Sequence, residues 1–130
     1  MIESDPKASN RIAVITGAAG GIGAALVKAF TACGYSVIAL DNAPKPASLV
    51  CWQYLQTDLQ RLVADPACAA EALSAITDHA ADGGLGVLVN NAAIQVLGGV
   101  ESLSVADWRS TLDVNLLADR KSTRLNSTHL

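Results

Sequence analysis

Eight residues, TGAAGGIG from Thr16 to Gly23, set four glycines between a compact apolar run and an apolar helical pattern. Glycines there let the backbone turn sharply and approach a pyrophosphate with no Cβ in the way. The N–H groups and positive dipole end of the following helix would then face the phosphate charge. A tight turn built of small residues would read the same way in isolation, and the position between strand and helix favours a dinucleotide site. Asp41 closes a second apolar run about 20 residues further on, where a carboxylate accepts hydrogen bonds from adenosine ribose hydroxyls and repels a 2′-phosphate. Asn42 and Ala43 bring no positive charge to welcome such a phosphate, and Lys45 lies beyond a proline. NAD is therefore favoured over NADP. Taken alone, Asp41 would also fit a plain polar strand end.

The elements that must position these groups alternate. RIAVITG reads as a strand buried on both faces. Ile22, Leu26, Ala29, Phe30 and Cys33 recur at helical spacing, and Gly34 supplies the stop. YSVIALD is a second buried strand, APKPAS a loop and CWQYLQTD a third strand of mixed character. Asp65 before Pro66 marks a capped helix start, with Ala69, Leu73, Ile76 and Ala80 as its apolar stripe and Gly83–Gly84 as its end. LGVLVNNAA is the fourth and most apolar strand. Ser104 with Asp107 forms a capping-box pattern, after which Val105, Trp108, Leu112 and Leu116 line one side of a last helix. Such alternation predicts an α/β fold, a Rossmann-like doubly wound parallel sheet, incomplete at about four strands.

The bulk properties agree with one globular domain. The chain has 130 residues, 51% hydrophobic and 16% charged, too short for two domains and too apolar for disorder. A formal charge of −3 argues against a nucleic-acid partner. No apolar run approaches the ~20 residues of a membrane span. The polar start, MIESDPKASN, has no apolar core of a secretory signal, so residues 1–10 are expected to be a frayed terminus and the protein cytoplasmic. Cys33, Cys51 and Cys68 lack metal-site spacing and are expected to be reduced, partly buried thiols. With His79 and His129 far from them, no metal site is expected.

Together these residues resemble the short-chain dehydrogenase/reductase family. The glycine segment fits TGxxxGxG through Thr16, Gly17, Gly21 and Gly23, and equally TGxxGxxG of the larger epimerase-like members through Gly17, Gly20 and Gly23. VLVNNAA is similar to the NNAG element of the compact oxidoreductases, with Ala93 in place of the glycine, which disfavours an epimerase or dehydratase of the larger branch. The resemblance implies that Asp58 and the Leu59 backbone meet the adenine ring, that Ile22 contacts the pyrophosphate through its backbone, and that Asn90 braces the sheet beside the cofactor. Asp58 alone would also read as a loop-opening acid. VNL places Asn115 where the family has a catalytic asparagine, which would hold a water in a proton relay. From spacing alone, Asn115 points to the margin of the buried stripe, where a plain polar residue would serve equally. The implied activity is hydride transfer between NAD and a small-molecule alcohol or carbonyl. The implied assembly is a homo-oligomer that uses the helix carrying Trp108, with strand order 3-2-1-4. A non-catalytic NAD-binding module is the alternative from another class.

The family's chemistry also needs a serine and a Tyr-x-x-x-Lys. Tyr35 and Tyr54 are the only tyrosines, and four residues after them stand Ala39 and Asp58. This chain is thus expected to correspond to the NAD-binding half of an oxidoreductase and to be inactive by itself. The resemblance runs from Arg11 to about Ala118, read as a partial dinucleotide-binding domain. Beyond it the apolar period stops, and DRKSTRLNSTH resembles the translation of a sequencing-library adapter in all but Thr128. Residues 119–130 are accordingly expected to be a non-native tail.

Overall fold

The computed structural model describes residues 11–79 and 85–120. Its centre is a parallel sheet of β1 (Ile12–Thr16), β2 (Ser36–Asp41), β3 (Gln53–Gln56) and β4 (Leu85–Val89), in the order β3-β2-β1-β4. The α/β, Rossmann-like class is the one the alternation of elements predicts, and the order is the one the family resemblance implied. β1 and β2 are buried on both faces, as their unbroken apolar runs require.

Alternation along β1 feeds two cores. Ala13 and Ile15 pack with Val27, Val37, Ala39 and Leu49 under α1 (Gly21–Ala32). Ile12 and Val14 pack with Ile38, Leu40 and Ile76 under α3 (Pro66–His79). Helices on opposite faces make the sheet doubly wound. Asp65 caps α3 as its sequence implied, accepting from the Ala67 N–H at 2.9 Å. The proposed stop of that helix at Gly83–Gly84, the fraying expected of residues 1–10 and His129 lie outside the described residues.

Several elements differ from the sequence reading. The buried residues of α1 are Gly23 and Val27, whereas Ile22 is 73% exposed and Cys33 is exposed too. Leu26 and Phe30 of the same stripe pack against the core, while the first turn, with Ile22, faces the cavity. Cys33 is not a partly buried thiol; Cys51 is buried, and burial pushes its pKa up. A short helix, α2 (Leu59–Ala64), was not foreseen. Its Leu59 and Leu62 pack with Ala69, Ala72 and Ala118. The third and fourth strands are shorter than the runs CWQYLQTD and LGVLVNNAA.

The last helix, α4 (Val105–Leu112), continues as a π-helical turn over Asp113–Leu117. Ser104 and Asp107 form the expected reciprocal capping box, at 3.1 and 2.9 Å. The expected buried stripe is instead exposed: Val105, Trp108, Leu112 and Leu116 are 76%, 52%, 48% and 60% accessible. What this segment buries is Ala118, at 0% exposure. Asp119 and Arg120 continue the helix, and residues 121–130 lie outside the described set.

Candidate cofactor-binding site

A cavity of about 470 Å³ opens at the C-terminal ends of β1, β2 and β4, the place where open parallel sheets bind ligands. The glycine loop forms its floor. Gly17 has φ +65°, and a Cβ there would lie 2.8 Å from the Ala92 backbone. A Cβ on Gly23 would collide with the Gly17 carbonyl. These two glycines are required by the fold. Gly21 is different, since nothing lies within 4 Å of where its Cβ would be. Its bareness leaves room for something outside the protein.

Gly20 caps α1 without any side-chain hydrogen bond, and no acidic residue occupies the first turn. The leading N–H groups of the helix have no intrahelical acceptor and point at the cavity with the positive end of the dipole. Gly21, Ile22 and Gly23 line it.

Asp41 lies opposite, half-buried at the end of β2. Oδ2 accepts from the Ala19 N–H at 2.9 Å and Oδ1 from the Ala43 N–H at 3.0 Å. The carboxylate thus ties the glycine loop to the segment after β2 while lining the cavity. Asp58 and Leu59 form a further wall. Asp58 caps α2 by accepting from the Gln60 N–H at 2.9 Å, which makes it a helix-opening acid at the cavity rim.

The segment after β4 closes the site. Asn90 does not line the cavity, whereas Asn91 does and ties the β4 end to the glycine loop. The Asn91 Nδ2 donates to the carbonyls of Thr16 and Gly17, at 3.2 and 3.3 Å. The Thr16 hydroxyl in turn accepts from the N–H groups of Asn91 and Ala92, at 3.0 and 3.1 Å. The sequence reading missed this pairing because two asparagines stand side by side, and only the exact end of β4 decides which turns inward.

Asn115 sits in the π-helical turn and reaches across 21 residues. Its Oδ1 accepts from the Ile94 N–H at 2.8 Å and its Nδ2 donates to the Ile94 carbonyl at 2.9 Å. The amide is paired with both backbone polar groups of Ile94 rather than resting at the edge of a buried stripe. It fixes the Ala92–Ile94 wall of the cavity. Among the described residues no cluster of His, Cys, Asp and Glu could hold a metal, and no helix is long and apolar enough to cross a membrane.

A parallel sheet with a glycine loop, an acid after the second strand and an Asn-Asn wall defines a nucleotide-binding α/β protein. Residues 11–130 match the short chain dehydrogenase family, and the chain belongs to that family. It is 36% identical over 118 residues to a D-threitol dehydrogenase of Mycolicibacterium smegmatis, a match covering 88% of this chain and 45% of that protein. It thus spans about half the length of such relatives. Among solved structures, a short-chain oxidoreductase of Brucella ovis in complex with partially ordered NAD superimposes with a TM-score of 0.79 at 28% identity, covering 94% of this chain and 58% of that one. A short chain dehydrogenase of Burkholderia cenocepacia in complex with NADP gives 0.76 at 29% identity, covering 95% and 52%.

Proposed function

We propose that the cavity holds the adenosine and pyrophosphate part of a nicotinamide dinucleotide, NAD in preference to NADP. The observation that carries this reading is the shared cavity of the uncapped α1 N-terminus and Asp41. Gly17, Gly21, Ile22 and Gly23 would face the pyrophosphate, Asp41 the ribose diol, and Asp58 with the Leu59 backbone the adenine. Asn90 is kept as a neighbour of this wall through the family resemblance, with Asn91 supplying the bracing bonds. When bound, the nicotinamide ring accepts or gives a hydride.

The protein to which this chain corresponds is proposed to be a cytoplasmic oxidoreductase acting on a small alcohol or carbonyl compound. Asn115 contributes to its catalytic end by holding the Ala92–Ile94 wall. The exposed face of Val105, Trp108, Leu112 and Leu116 is where a homo-oligomer would form, and neither nucleic acid nor membrane is a proposed partner. With no Tyr-x-x-x-Lys among the 130 residues, the chain itself binds and does not turn over. Calorimetry tests the cofactor reading. NADH is expected to bind at least about tenfold tighter than NADPH, a difference of about 1.4 kcal/mol. ADP-ribose is expected to bind about as well as NADH, because the groups named above face the adenosine and pyrophosphate. Equal affinity for NADH and NADPH would reject the NAD reading. Tight binding that depends on the nicotinamide ring would reject the adenosine-half reading.

A further inference from the structure

The backbone just after Asp41 is held from a second direction. β3 pairs with β2 so that Tyr54 stands opposite Ala39 and Gln56 opposite Asp41. Two residues apart on a strand, their side chains share one face. Both reach the segment that follows β2: the Tyr54 hydroxyl donates to the Ala43 carbonyl at 2.6 Å, and Gln56 Nε2 donates to the Asn42 carbonyl at 3.0 Å. The same segment offers the Ala43 N–H to Asp41, whose other oxygen holds Ala19 of the glycine loop.

We propose that Tyr54 and Gln56 are positioning residues that set discrimination against a 2′-phosphate, by clamping Asn42–Ala43 so that the Asp41 carboxylate cannot turn out of the cavity. The inference rests on the NAD reading above. A carboxylate free to rotate would swing away from an incoming phosphate, and a mobile loop would let Lys45 approach it. Here each oxygen of Asp41 has its own N–H donor, and the Ala43 N–H lies between two held carbonyls, that of Asn42 in its own peptide and that of Ala43 in the next. The Ala19 N–H, a donor that could serve an anion, is already spent on Asp41. Burial, with Asp41 and then Cys51 nearby, pushes the Tyr54 phenol up, so it remains a donor at neutral pH.

The test compares dissociation constants for NADH and NADPH in the wild-type chain, Tyr54→Phe, Gln56→Ala and the double variant. Tyr54→Phe keeps the ring in the core and removes one hydroxyl; Gln56 is exposed. The preference for NADH is expected to fall about fivefold in the double variant, chiefly through tighter NADPH binding. A purely structural role would weaken both cofactors alike and leave the ratio unmoved, and that result would overturn the proposal. A wild-type chain with no preference would instead reject the NAD reading itself, and the clamp with it. Amide hydrogen exchange provides a ligand-free check. Ala19 and Ala43 are expected to exchange faster in the double variant, and unchanged protection at both would contradict the clamp.

Discussion

At the residue scale, the glycines divide by what their missing Cβ would meet. Gly23 abuts the Gly17 carbonyl, so Gly23→Ala is expected to destabilise the fold by at least about 2 kcal/mol, measured by denaturant unfolding. Gly21 faces open space, so Gly21→Ala is expected to leave the unfolding midpoint unchanged and weaken NADH about tenfold. A loss of stability at Gly21 with unchanged binding would assign that glycine to the turn alone. The glycine pattern and Asp41 were legible in the sequence because spacing between a strand and a helix carries their meaning. Asn91 was not, since a period-2 pattern reads inward and outward positions only when the strand end is known to one residue.

Elements were legible where local chemistry sets them. Ser104 and Asp107 specify the start of α4 through their own side chains, and the structure has that box. Ser104→Ala is expected to cost about 1 kcal/mol, read from the unfolding free energy. The Ser104 backbone N–H and then its hydroxyl hold Asp107 below its ordinary carboxylate pKa. A depressed folded pKa gives stability that is present above the unfolded value of 3.8 and lost as pH falls through the lower folded value. The cap's contribution should therefore persist at pH 5 and fade only below pH 3.8 in wild type, and be absent from the pH profile of Asp107→Ala. The stripe of α4, and Ile22 and Cys33 at the ends of that of α1, are exposed for a common reason. Periodicity reports which residues share a face, but not whether that face meets a core, a cavity or solvent. The π-helical turn has no sequence pattern of its own; it holds Asn115, which bonds the Ile94 backbone, and ends at Ala118, which enters the core.

On the scale of the whole molecule, the alternation of strands and helices made the parallel α/β class legible, whereas the strand order came from the family resemblance and not from the pattern itself. The order has a consequence. β4 pairs with β1 on one side and, among the described residues, has no strand on the other. Val87, Leu88 and Val89 are only half-buried there, and Trp108, Leu112 and Leu116 add an exposed apolar face. Unpaired apolar edges template association. Size-exclusion chromatography across a concentration series is expected to show self-association that grows with concentration. A sharp monomer peak throughout would count against it.

The central claim is that the glycine loop, Asp41 and the Asp58 rim form one dinucleotide site. Backbone amide shifts followed during an NADH titration test it most directly. Saturable changes are expected at Gly17, Gly21–Gly23, Asp41, Asp58–Leu59 and Ala92–Ile94, which all line the cavity. Saturable changes elsewhere with these residues silent, or no saturable change at all, would contradict the claim.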